Sequence, residues 1–271
     1  PTIPQGASVP SLGLSNKAVF ESNEEKKYEK TCDYSEPYFT AVDLNEPPTE
    51  EHLMQNTLWP EVQKLYGHGY DIFSMAATHD GSLLASACKS TNVQHAAVII
   101  WDAKTWKLAQ KLQSHSLTVT QMAFSPDDHF LVTVSRDRTW SIFERVKDRE
   151  NPNEHYKLTA KSPKSSSSHS RIIWSCAWSP DSKYFVTSSR EGKAIVWGMS
   201  EFQKWNNPEM WPLKLLDSIT ASAFDCFPSH NIEKYILILG TEGGLIHIYE
   251  WQPIHRNDGE GSWKHLNTLS N

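Results

Sequence analysis

Apolar and β-branched residues along this chain occur in short runs, and the spacing of an amphipathic helix is scarce. The runs end in Ser-Pro-Asp, Asp-Gly or Gly-Gly turns. Short β-rich runs interrupted by such turns indicate strands joined as hairpins. We therefore predict an all-β fold.

An internal repeat organises these runs, and each of its units begins near a histidine: His68, His115 or His169. Apolar residues stand four and seven positions after each histidine, and an aromatic residue marks a later strand. That aromatic residue comes later in the first unit because five extra residues fall in the polar stretch 89–95. The anchors are Ile72, Met75 and Trp101, then Val119, Met122 and Phe143, then Ile173, Cys176 and Trp197.

Several anchors at fixed spacing, together with the dipeptide Trp101-Asp102, resemble the WD-repeat family. The resemblance implies a β-propeller in which each unit is a four-stranded blade stacked on its neighbours. We predict a partial propeller over residues 58–271, with blades at about 67–112, 114–160, 169–215 and 216–271. The fourth unit carries the weakest pattern. Because closed propellers have about 4–8 blades, about four blades would be an arc of a larger ring.

WD repeats often contain a buried relay of Asp, His, Ser or Thr, and Trp, which links the inner hairpin turn to the outer strands. The set is incomplete in every unit, since Phe143 replaces the Trp of the second and Glu191 replaces the Asp of the third. The insertion disrupts the turn of the first. Recurrence at blade-packing spacing favours a structural role over a catalytic triad, which needs one unique constellation. The relay positions are His68, Trp101, His115, Thr133, Asp137, His169, Thr187 and Trp197.

The net charge of −6 comes from 26 basic and 32 acidic residues, and it is unevenly distributed. Residues 1–57 contain four basic and ten acidic side chains, so the remainder contains 22 of each. A neutral body argues against a general polyanion-binding protein. We predict that residues 1–57 form an acidic, largely irregular linker with a candidate strand near 9–20. Contact of segment 21–51 with a basic partner is the alternative.

The cysteines, Cys32, Cys88, Cys176 and Cys226, are far apart, as expected in a reduced intracellular protein. No run approaches the roughly 18 apolar residues that span a bilayer, and we expect no signal peptide. Zinc-ligand spacings and phosphate-binding glycine loops are missing, so we predict no metal site, no cofactor and no enzyme activity. The chain begins at Pro1 without an initiator Met, and we expect it to be part of a longer protein.

Four stretches, 9–18, 56–70, 135–140 and 169–181, closely resemble the second-subunit family of the Elongator complex, and the resemblance extends over about residues 9–250. It implies much of the second of two seven-bladed propellers. The implied function is a non-catalytic scaffold that holds the catalytic and largest Elongator subunits together and so supports tRNA wobble-uridine modification. The resemblance further implies a hetero-oligomeric complex, at most indirect tRNA contact, no membrane, and a location in the cytoplasm and also the nucleus.

Four arginines, Arg136, Arg138, Arg171 and Arg190, lie in or near the inner turns and entry loops, so we expect them to approach one another on one face. Guanidinium groups bind carboxylate and phosphate bidentately. The alternative function is therefore an adaptor that binds RNA, another polyanion or an acidic peptide through this face. Pairing of each arginine with a neighbouring acid is the structural alternative. Trp174 is a candidate partner anchor or an inter-blade packing residue, and modification of the Ser-rich loop 162–170 is left open.

Overall fold

The computed structural model describes residues 6–8, 17–19, 47, 56–57, 63–146, 155–162, 168–200, 204–226, 234–253 and 263–270. The chain forms two compact units, 1–66 and 67–271. In the first unit, strands β1 (Gly6–Ser8), β2 (Lys17–Val19) and β3 (Asn56–Thr57) make one antiparallel sheet in the order β2-β1-β3. Apart from residue 47, the acidic segment 21–51 lies outside the described residues.

The second unit contains four antiparallel sheets of four strands each, and they follow one another along the chain as blades. The predicted all-β fold of four-stranded blades is therefore confirmed. The strands are β4 (Ile72–Ala77), β5 (Leu83–Cys88), β6 (Val98–Asp102) and β7 (Leu108–Leu112); β8 (Val119–Phe124), β9 (Phe130–Ser135), β10 (Trp140–Arg145) and β11 (Tyr156–Lys161); β12 (Ile173–Trp178), β13 (Tyr184–Ser189), β14 (Lys193–Ser200) and β15 (Lys204–Lys214); and β16 (Ile219–Cys226), β17 (Tyr235–Thr241), β18 (Ile246–Trp251) and β19 (Trp263–Leu269).

Three hydrophobic cores lie between successive blades. Leu131 packs into the core between the first and second blades, whereas Val132 packs into the core between the second and third. Both are fully buried, because successive side chains of a strand point to opposite faces and both faces of this blade are covered. Val186 and Trp251 belong to the third core, between the third and fourth blades. Stacking therefore explains why the strands carry apolar residues on both sides.

The apolar repeat positions are buried only where a preceding blade covers them. Val119 and Met122 on β8 are 0% and 3% exposed. Their equivalents in the first blade, Ile72 and Met75 on β4, are 47% and 57% exposed. The repeat thus keeps apolar residues at these positions even on the blade face that this unit leaves open.

A β-bulge interrupts each inner strand at the same place, directly after the first anchor. In the third blade Ile173 pairs with Ser189 and Ser175 pairs with Ser188, so Trp174 between them has no partner in β13. Bulges re-aim side chains and break strand alternation. At the same bulge position of the second blade, Thr120 is buried and donates to the Ile173 carbonyl at 2.5 Å, although strand alternation alone would turn it away from the core. Trp174 itself is half-buried.

Candidate interaction face

The inner turns of the four blades bring equivalent residues to one edge of the sheets. In each blade, the residue directly after the second strand donates its backbone N–H to the carbonyl just before the first strand. Three of these residues are basic and one is acidic, so cations occupy the first three blades. The residues and distances are Lys89 to Asp71 at 2.9 Å, Arg136 to Thr118 at 3.0 Å, Arg190 to Ile172 at 3.0 Å and Glu242 to Ser218 at 2.9 Å. The sequence prediction did not include Lys89, which begins the polar stretch 89–95 that holds the extra residues.

All four predicted arginines are exposed, and none forms an ion pair within the described residues. The acids beside two of them are engaged elsewhere: Asp137 accepts hydrogen bonds from His115, and Glu191 accepts them from His169. The inner-turn carboxylates therefore belong to the blade interior, and the guanidinium groups face solvent.

The arginines divide between two clefts. Arg171 and Arg190 together line a cleft of about 360 Å³. Arg138 lines a second cleft, of about 520 Å³, with Lys161 and Ser162 at the beginning of the Ser-rich loop. Arg136 belongs to neither lining. The expected approach of all four arginines is therefore seen for one pair, on the third blade, and residues 163–167 of the loop lie outside the described residues.

The third blade has a complete relay, contrary to the expectation that its glutamate would break the chain. Trp197 Nε1 donates to Thr187 Oγ1 at 2.8 Å, and that hydroxyl lies 2.7 Å from His169 Nε2. His169 Nδ1 lies 3.3 Å from Glu191 Oε1. The longer side chain of Glu191 reaches the imidazole of its own blade, as Asp137 reaches His115 in the second blade. The hydrogen bond from His169 lowers the pKa of Glu191, and burial lowers the pKa of His169.

The relay of the second blade lacks only its indole. His115 Nε2 lies 2.8 Å from Thr133 Oγ1, and Nδ1 lies 3.1 Å from Asp137 Oδ2. Phe143 fills the Trp position and cannot donate, as predicted from the sequence. Burial raises the pKa of Asp137, but hydrogen bonds from His115, Thr139 and the Ser116 N–H outweigh burial, so the pKa falls below its usual range.

The first blade contains a relay member that the sequence pattern missed. Ser86 Oγ lies 2.8 Å from His68 Nε2 and accepts from Trp101 Nε1 at 2.7 Å. Ser86 corresponds to the threonines of the other relays but is a different residue type. Alignment of the strands from their common histidine would have found it, since all three hydroxyls stand 18 residues after it.

A second set of contacts links the first three blades, on the turns between the first two strands of each. The buried Asp128 carboxylate accepts the backbone N–H groups of His79 at 2.8 Å and Asp80 at 2.9 Å from the preceding blade. Ser182 occupies the same position in the third blade and accepts from the Asp127 N–H at 3.3 Å. Both residues have positive φ, 57° and 62°. Neither residue belongs to the relay positions predicted from the sequence.

The described residues contain no group of three His, Cys, Asp or Glu side chains placed to hold a metal ion. In the same part of the chain, no helix is long and apolar enough to cross a membrane. The buried histidines instead make hydrogen bonds within their own blades, as the relays show. The geometry at these histidines therefore supports structural roles.

The WD40 family model (WD domain, G-beta repeat) matches residues 59–102, 106–144 and 161–198. Elongator complex protein 2 of Rattus norvegicus is 50% identical over 264 residues, which are 92% of this chain and 32% of that relative. The same protein of Homo sapiens is 46% identical over 278 residues, 97% of this chain and 33% of the relative. That of Drosophila melanogaster is 50% identical over 278 residues, 99% of this chain and 34% of the relative.

The chain thus spans about a third of the length of the curated relatives it matches. The resemblance that the four sequence stretches suggested is confirmed, since the similarity covers most of this chain.

Proposed function

We propose, on the premise that this chain belongs to the WD-repeat family and is related over most of its length to Elongator complex protein 2, that it serves as a non-catalytic interaction subunit of the Elongator complex. In this role it holds the catalytic and largest subunits together and so supports tRNA wobble-uridine modification. Its expected location is the cytoplasm and also the nucleus, with any tRNA contact indirect.

The observation that carries this proposal is the use of the repeat's reactive side chains inside the blades. His115 and His169 are 2% and 8% exposed, and both ring nitrogens of each form hydrogen bonds within their own blade. A general base needs access to a substrate proton, so these buried imidazoles are poorly placed for acid–base chemistry. Exposed side chains of the inner turns remain available for partners.

The test is co-purification of the full chain with the largest and catalytic Elongator subunits at low and high salt. Recovery at both salt concentrations supports a scaffold held mainly by packed surface. Failure to recover either subunit, from a chain whose circular dichroism shows it to be folded, contradicts the scaffold role for this region.

The second candidate function is an adaptor that binds a polyanion through the arginines, and their exposure without ion pairs favours it. The double variant Arg136→Glu, Arg190→Glu is expected to weaken RNA or acidic-peptide binding. Its control is Lys104→Glu, Lys107→Glu, which makes the same charge change at exposed first-blade lysines. Phosphate contacts make affinity fall steeply with salt. Equal binding by the two variants contradicts the adaptor function.

A further inference from the structure

The relay of the first blade stops at its histidine, whereas the other two relays continue to a carboxylate. Among its hydrogen bonds, each of those carboxylates accepts one from the histidine Nδ1 and one from the next backbone N–H. The bonds are His115 and Ser116 to Asp137, and His169 and Ser170 to Glu191. The equivalent donors of the first blade are His68 Nδ1 and the Gly69 N–H, and neither has an acceptor among the described residues.

Nearby residues of the same blade do not supply that carboxylate. Ser90 stands where the second blade has Asp137, and its hydroxyl donates to the Asn92 carbonyl at 2.6 Å inside the insertion. Asp71 lies 3.2 Å from the ammonium of Lys89. The first blade therefore has a serine in place of the acid, and that serine forms its hydrogen bond within the insertion.

The other two relays assign a tautomer to His68, since a carboxylate at Nδ1 requires the ring proton there. An indole N–H can only donate, so Trp101 uses an acceptor site of Ser86 Oγ. When the Ser86 hydroxyl donates to His68 Nε2, as the threonine hydroxyls of the other relays donate to their histidines, the ring proton is on Nδ1. A ligand at Nδ1 must accept a hydrogen bond, as the carboxylates of the next two blades do.

His68 and Gly69 line a cleft of about 410 Å³ whose one charged side chain is Lys111. None of the described residues that line this cleft is acidic. His68 and Gly69 also border a neighbouring cleft in which Asp71 is already paired with Lys89. Burial, followed by the charge of Lys111, lowers the pKa of His68, so the lysine acts electrostatically on the imidazole. An anion in the cleft beside Lys111 would meet two N–H donors and one ammonium group.

We propose that this cleft binds the carboxylate of an aspartate or glutamate side chain of a partner protein, which completes the first relay as Asp137 and Glu191 complete the other two. The site is separate from the clefts lined by the arginines. The inference goes beyond the scaffold role and holds whichever complex the chain joins, because it follows from the geometry of one blade.

The test titrates the full chain, labelled with ¹⁵N in its histidine rings and backbone amides, with sodium acetate against sodium chloride of equal ionic strength. Acetate is expected to produce a saturable NMR shift of His68 Nδ1 and of the Gly69 amide. His115 and His169 are internal controls, since their Nδ1 atoms already lie against a carboxylate of their own blade. An equal response of all three histidines, or no saturable shift, overturns the proposal.

Two matched variants test the electrostatic part. Lys111→Gln is expected to weaken acetate binding about two- to fivefold, the effect of one exposed ion pair. Lys107→Gln removes the same charge from an exposed position of this blade outside the cleft and is expected to bind acetate as the unaltered chain does. Equal affinities of the two variants contradict the assigned site. A shift produced by inorganic phosphate but not by acetate excludes the carboxylate as the ligand.

Discussion

Replacement of Thr187 by valine removes the central oxygen of the complete relay and leaves the shape of the side chain. Thr187 is fully buried, and its hydroxyl contacts both His169 Nε2 and Trp197 Nε1. Without that hydroxyl, the indole N–H and the imidazole nitrogen remain buried with no hydrogen-bond partner. A buried polar group that loses its partner costs about 1–3 kcal/mol, so two of them lower the free energy of unfolding by about 2–6 kcal/mol.

The second blade offers a matched control, because its relay lacks the indole. The hydroxyl of Thr133 lies 2.8 Å from His115 Nε2, while Phe143 replaces the tryptophan. Thr133→Val therefore leaves one polar group without its main partner and is expected to cost about 1–3 kcal/mol. The difference between the two valine variants isolates the hydrogen bond made by Trp197.

Urea unfolding of the full chain, followed by circular dichroism, measures both variants under the same conditions. The double variant Thr187→Val, Trp197→Phe removes the donor together with its acceptor. It is expected to be less destabilised than the sum of its single variants, by about 1–3 kcal/mol. If Thr187→Val and Thr133→Val cost the same, or if the double variant is additive, the indole hydrogen bond contributes nothing to stability.

Three further predictions concern stability and reactivity. Asp128→Ala should lower the free energy of unfolding by about 1–3 kcal/mol, and Ser182→Ala, which loses one long hydrogen bond, by less; urea unfolding compares them. Since burial lowers the pKa values of His68 and His169, stability should be fully present above about pH 6.5 and fall toward pH 5, and His169→Gln should flatten the profile. Burial also raises the pKa of the Cys176 thiol, so iodoacetamide should modify it only after unfolding, as mass spectrometry would show.

The blade pattern was predictable because it depends on side chains that must be buried on both faces of a strand. Val132 and Leu131 are adjacent apolar residues that enter two different cores, and only stacked sheets make use of such a pair. The relay histidines were predictable for a similar reason, since His115 and Thr133 recur at constant spacing in the next blade. The periodic pattern of the sequence therefore predicts both the fold and the buried hydrogen bonds.

Features that depend on side-chain length or backbone distortion could not be derived from periodicity. Glu191 closes a relay because its extra methylene reaches His169, which spacing alone does not show. The bulge at Thr120 changes the direction of a side chain without changing the sequence pattern around it. Asp128 contacts backbone N–H groups of another blade, and backbone donors leave no signature at positions 79 and 80.

The relays also explain how acidic and basic side chains of the inner turns differ in exposure. The inner-turn carboxylates of Asp137 and Glu191 are 10% and 17% exposed and receive hydrogen bonds from histidines of their own blades. The neighbouring Arg136 and Arg190 are exposed. The carboxylates are thus more buried than the arginines, although the opposite charges cancel in the composition. A partner that approached these turns would contact the arginines before the carboxylates. In the fourth blade the equivalent turn residue is the exposed Glu242, so an acidic partner should contact the first three blades and avoid the fourth.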